Sequence, residues 1–230
     1  MIIFLMDAPG IREELRDMAR RLGTVGYYVV LPNLYHRFNV DELGPYMGEA
    51  HSAIREKFMK LKDTLTMDMV MEDVGELIGH ACKDAAASTG AIGCVGYCMS
   101  GRYAINAAVR HGQQVRAAAS IYGTELVSGQ PDSPHLAAHR TDARLYFACA
   151  ETDPYAPIET IDRLRRELSD KEATSEVEIY PGTQHGFAFA QRPAYIKWAA
   201  ERHWERLFTL FREELMDRTV RANKKAQPRL

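Results

Sequence analysis

Cys98 is the side chain in this sequence best suited to covalent chemistry. It stands in Gly96-Tyr97-Cys98-Met99-Ser100, with small residues two positions before and two after it. A nucleophile held on a sharp strand-to-helix turn needs that frame, because strand and helix backbones approach too closely there for larger side chains. A free thiol with a pKa of about 8.5 is only a few per cent ionised at neutral pH, so it needs a base. His185, in Gly182-Thr183-Gln184-His185-Gly186, supplies an imidazole. Asp153, in Glu151-Thr152-Asp153-Pro154-Tyr155, supplies a carboxylate that can orient that imidazole and fix its tautomer. Together they predict acyl transfer through a thiol nucleophile. Glu151 is the alternative acid. Ser100 is a weaker nucleophile candidate, since the position two residues beyond it holds Arg102. The plainer readings are a buried inert thiol for Cys98 and a helix cap for Asp153.

The elements needed to position these groups are legible as alternating patterns. Residues 2–6, 27–31, 91–97, 117–122, 145–150 and 177–180 read as strands, and 11–22, 69–82, 100–110, 157–168 and 193–215 as helices. That alternation predicts an α/β fold, a mostly parallel sheet with helices on both faces. Each candidate lies just after a strand, where ligands bind in such sheets. The order nucleophile, acid, base is the one expected of an α/β-hydrolase fold. An oxyanion hole then needs the amide of Met99, next to the nucleophile, and a second amide from Asp7-Ala8-Pro9-Gly10 after the first strand. Pro9 has no N–H, so Ala8 is the better donor.

Composition narrows the class further. In 230 residues, 29 basic and 31 acidic side chains leave a formal charge of −2, which gives no field for nucleic acid or an anionic membrane. The apolar opening 1–6 stops at Asp7 with no basic segment or cleavage site, so no targeting signal or membrane span is expected and the predicted location is cytoplasmic. Four cysteines (Cys82, Cys94, Cys98, Cys149) at irregular spacing predict neither a disulfide framework nor a metal site. No cofactor is called for. One domain over residues 1–230 is expected, with a basic, frayed tail at 217–230. The mixed segment 38–66 reads either as a helical excursion capping the site or as a surface helix pair with its own apolar seam.

The elbow followed by an Ala-rich helix resembles the Gly-Tyr-Cys-Leu-Gly-Gly turn of the dienelactone hydrolase family, the carboxymethylenebutenolidases. Asp7-Ala8-Pro9-Gly10, residues 26–35 and the Asp153 and His185 loops resemble further blocks of that family. The resemblance implies an enzyme that opens a small-molecule lactone or activated ester through a Cys-His-Asp triad and an acyl-enzyme. It also implies that Asp7, one methylene shorter than the family's Glu, tunes the resting thiol, and that Tyr122 and Tyr155 contact substrate. Phe187, two residues after the base, is a third expected pocket aromatic. Two departures stand out. No arginine closely follows the base, which predicts a neutral substrate unless Arg192, Arg102 or a residue of 38–66 supplies the cation. The extra strand usual before the first block is missing, so an open sheet edge would favour a homodimer. A general short-chain carboxylesterase, and a non-catalytic or redox protein with this fold, are the competing expectations.

Overall fold

Strands β1 (Ile2–Leu5), β2 (Val29–Val30), β3 (Ile92–Tyr97), β4 (Val115–Ile121), β5 (Arg144–Thr152) and β6 (Ser175–Gln184) are all parallel and pair in the order β2-β1-β3-β4-β5-β6. The computed structural model describes residues 1–44, 52–88, 90–171 and 174–215. The expected tail at 217–230 and part of the 38–66 segment lie outside them. The central strands are continuous apolar runs because both faces of the sheet are covered. All four residues of β1 and all six of β3 are buried.

Helices α1 (Glu13–Thr24) and α7 (Lys197–Leu215) lie together, joined by Arg21, which pairs with Glu201 and lies over the Trp204 ring. Helices α3 (Met67–Ala81) and α4 (Gly101–Arg110) pack against each other, His111 at the end of α4 donating from Nε2 to Met71 O across Gly75. The small residues of α4 (Ala104, Ala107 and Ala108, all wholly buried) let the helix approach β3 and β4 closely. Helices α2 (Ser52–Thr64), α5 (Pro134–Ala137) and α6 (Ile158–Glu167) complete the set among the described residues. No helix among them is long and apolar enough to cross a membrane.

The pairing register decides which loops meet. β1 lies between β2 and β3, so the chain leaves β1 at the place where the strand order switches direction. Leu5 pairs with Gly96, which sets the Asp7-Ala8 loop beside Cys98-Met99. Tyr97 pairs with Ile121, bringing Tyr122 alongside the same turn. Thr152 pairs with Gln184, and the next residue on each strand is Asp153 and His185.

Candidate active site

Cys98 opens a 3-10 turn, Cys98–Ser100, between β3 and α4, and its φ is 56°. A non-glycine residue in this left-handed region is strained, and such strain is stored where the surroundings over-determine the backbone. Here the Cys98 carbonyl accepts from Thr124 N at 3.1 Å, and the Ser100 hydroxyl donates to Met6 O. Ser100 is thus wholly buried and structural. A Cβ on Gly96 would lie 2.0 Å from Ser100 O, so the turn can form only with glycine there.

His185 Nδ1 lies 2.7 Å from Asp153 Oδ2. Asp153 Oδ1 accepts from Tyr155 N at 2.9 Å, which aims the other oxygen at the ring. The second ring nitrogen, Nε2, is buried and is the ring atom left to face the Cys98 sulfur, with which the imidazole interacts. Burial pushes the Cys98 thiol up, but His185 outweighs it, with Arg192 adding to it and Asp7 opposing, so the thiol sits below its ordinary range. Burial works against the His185 imidazolium, and the facing sulfur and Asp153 overcome it and raise the ring's pKa. The combination favours a thiolate–imidazolium pair. Glu151 is elsewhere, its exposed side chain accepting from Gly182 N at 2.8 Å and bracing the base loop.

A cavity of about 230 Å³ opens above the sulfur. Cys98, His185 and Tyr155 form one part of its wall, and Ala8 and Pro9 another. Residues Arg55, Phe58, Met59 and Lys62 reach it from a single face of α2, at helical spacing. Thr124, Glu125 and Arg192 close the remainder. The 38–66 segment therefore does contribute a helix over the site. The cations the neutral-substrate expectation set aside are present, from Arg192 and α2. Arg102 does not line the cavity; it pairs with Glu125 and stacks on Tyr103.

The expected site residues separate into groups. Cys98, Asp153, His185, Ala8 and Tyr155 meet around the cavity or directly behind its wall. The Tyr155 ring stands edge-on to His185 at 4.8 Å. Met99 is buried behind Cys98, its sulfur 3.7 Å from the Tyr35 hydroxyl, while that hydroxyl donates to Ala8 O at 2.6 Å and fixes the facing loop. Tyr122 and Phe187 do not line the cavity. Both are wholly buried beneath it, Tyr122 edge-on to His185 at 5.1 Å and Phe187 at 5.3 Å from Tyr122, so they support the imidazole from behind. Asp7 is wholly buried and its oxygens are occupied, by both terminal nitrogens of Arg12 and by Arg192. Arg12 went unrecognised in the sequence, where it reads only as a polar residue opening a helix.

Comparison with known proteins adds an independent line. The model of the Dienelactone hydrolase family matches residues 1–215. This chain belongs to the dienelactone hydrolase family. A Synechocystis member assigned as a carboxymethylenebutenolidase is 25% identical over 218 residues, spanning 94% of this chain and 86% of that one. A Bradyrhizobium member assigned as a 2-oxo-3-(5-oxofuran-2-ylidene)propanoate lactonase is 24% identical, spanning 93% and 84%. The crystal structure of a Klebsiella pneumoniae protein assigned as a dienelactone hydrolase superposes with a TM-score of 0.79 at 25% identity, covering 91% of this chain and 85% of the other. Membership makes the protein a hydrolase of ester or lactone bonds with the α/β-hydrolase fold.

Proposed function

We propose that the protein hydrolyses a lactone or activated ester through a Cys98-His185-Asp153 triad and a thioester acyl-enzyme. The reading rests on one observation: an imidazole anchored to Asp153 at 2.7 Å with its other nitrogen left for a thiol at the cavity floor. The Cys98 thiolate adds to the carbonyl carbon, and the Ala8 and Met99 amides are the donors available to the oxyanion. Such a donor contributes about 3–4 kcal/mol to lowering a barrier of this kind. His185 then delivers its proton to the leaving oxygen as the C–O bond breaks. In the second half-reaction His185 takes a proton from water, the resulting hydroxide adds to the thioester, and the C–S bond breaks to return the thiolate.

The cavity wall favours an acyl group that carries a negative charge near an apolar body. Arg55, Lys62 and Arg192, the last shared with Asp7 behind the wall, line it with Glu125 as the single acidic side chain among its described lining residues, and Phe58, Met59 and Tyr155 supply apolar surface. The Bradyrhizobium relative is assigned as a lactonase of a propanoate, a carboxylate-bearing lactone. A panel of p-nitrophenyl esters and lactones, neutral and carboxylate-bearing, tests the reading with wild type and Cys98→Ala. Turnover should vanish in Cys98→Ala, and a covalent adduct on Cys98 should be trapped by mass spectrometry in wild type. Full-rate turnover by Cys98→Ala would refute the triad.

A further inference from the structure

Glu125 brings a negative charge to a cavity wall whose other described charges, on Arg55, Lys62 and Arg192, are positive. The positive excess is small, because Arg192 is shared with Asp7 and Lys62 Nζ lies 2.6 Å from Asp63 Oδ1. An uncompensated Glu125 would cancel much of it and repel a carboxylate-bearing acyl group. The fold sets a cation behind Glu125, outside the cavity: Arg102 Nη1 donates to Glu125 Oε2.

The backbone brings these two residues together. Pairing of Tyr97 with Ile121 places the loop after β4 beside the turn that opens α4. A Cβ on Gly101 would lie 2.6 Å from Gly123 Cα, so that loop is pressed against the residue preceding Arg102. Thr124 N donates to Cys98 O at 3.1 Å, and Glu125 follows with φ 54°, a left-handed conformation that a glutamate keeps only where its surroundings impose it. Arg102 is anchored as well. Its Nη2 donates to the Tyr103 hydroxyl at 2.9 Å, and its guanidinium lies 4.8 Å from the centre of that wholly buried ring. The same hydroxyl reaches Leu65 O at 3.5 Å, just past the end of α2. Arg102 is thus held in one geometry, unlike the freely moving partners of an ordinary surface pair.

We propose that Arg102 is a positioning residue for substrate choice: by pairing with Glu125 from behind the wall it offsets the acid there, so the cavity keeps its preference for a carboxylate-bearing ester. The inference rests on the anionic-substrate reading above and adds to it a residue that selects substrate without lining the cavity. Arg102 acts through Glu125, so the two side chains should oppose each other in their effects on binding and leave the chemical step alone.

The test compares p-nitrophenyl hydrogen glutarate with the neutral p-nitrophenyl pentanoate and reads the preference as the ratio of their kcat/KM values. Wild type should favour the glutarate. Arg102→Gln should lower that preference about two- to fivefold, through KM for the glutarate with its kcat held. Arg102→Lys keeps the charge and should hold the wild-type preference. Glu125→Gln removes the acid and should raise the preference by a similar factor. Arg102→Gln with Glu125→Gln should return it to that of wild type, which a loop merely displaced by loss of Arg102 does not produce. The single effects should shrink at high ionic strength. The ratio of Cys98 alkylation rates with iodoacetate and iodoacetamide, followed by mass spectrometry, reads the same field without turnover and should move in the same directions. If Arg102→Gln fails to fold, Glu125→Gln decides by itself. An unshifted single variant, a double variant that keeps the loss, or a loss seen in kcat overturns the proposal. A wild-type preference for the glutarate that no variant moves removes this inference alone, whereas wild type indifferent to the carboxylate removes the anionic-substrate reading and this inference with it.

Discussion

His185 is the residue on which the proposed chemistry turns, since it touches both the acid and the nucleophile's surroundings. A lowered thiol and a raised imidazole give activity a plateau bounded by two protonations. On the acid side the thiolate takes a proton and the nucleophile is lost. On the alkaline side the imidazolium loses the proton that the leaving oxygen needs. Asp153 is one cause of the raised imidazole, so Asp153→Asn should move the alkaline limb to lower pH. It should also reduce kcat/KM by roughly 10²- to 10⁴-fold, because the ring loses its fixed tautomer. Rate profiles on one activated ester across the pH range check both effects. The two buried cysteines, Cys94 and Cys149, do not compete as nucleophiles at neutral pH. Burial raises Cys149 to about 12 and pushes Cys94 higher still.

At the scale of elements, the turn after β3 and the helix α2 make separable contributions. The turn's geometry depends on Gly96, where any side chain would drive into the Ser100 backbone. Gly96→Ala should therefore displace Cys98, lowering thermal stability and abolishing ester turnover together. By contrast, Gly93 faces the side chains of Phe211 and Leu215 of α7, whose ends can shift, so Gly93→Ala should reduce stability and spare catalysis. Helix α2 acts on binding. Replacing Lys62, whose stem is half-buried at the cavity, with Met should raise KM for a carboxylate-bearing ester by about two- to fivefold. The kcat, and both constants for a neutral ester, should hold, the signature of lost uniform binding. Equal effects on both substrates would remove the charge-recognition role of α2.

At the scale of the whole molecule, stability is tied to a histidine remote from the cavity. His203 of α7 is wholly buried among Tyr97, Phe187 and Trp204, with Nε2 3.1 Å from the Tyr97 hydroxyl and Nδ1 at Ala200 O. Burial holds it neutral and lowers its pKa to about 3. The unfolded chain binds the proton from about pH 6.5 downward, while the folded chain refuses it until far lower. Stability is therefore fully present above the unfolded value and is lost as pH falls, by on the order of 3 kcal/mol between pH 7 and pH 4. Replacement of His203 by Gln should flatten this acid limb in thermal melts, at the cost of a lower Tm at neutral pH. An acid limb as steep as that of wild type would place the sensitivity elsewhere.

The sequence by itself determined the kind of scaffold and singled out Cys98, Asp153 and His185 as candidates. Small residues around Cys98 follow from the local sterics of one turn, and apolar runs alternating with helical periodicity follow from burial on both sheet faces. Those are short-range constraints, so they can be read from neighbours in the chain. Strand limits were less legible: β2 is shorter than its apolar run and β6 extends well beyond its own, because pairing with a neighbour sets where a ladder ends. What depended on register and helix placement was decided only in three dimensions. The pairing of Thr152 with Gln184 set Asp153 against His185, and the pairing of Leu5 with Gly96 set Ala8 against Cys98. Tyr122 and Phe187 became the backing of the imidazole because their strand ends face inward. Asp7 met Arg192, distant in the chain, and Arg12, which sequence leaves among ordinary surface charges. Charge partners are chosen by the shape of the packed interior, and no local pattern encodes that shape.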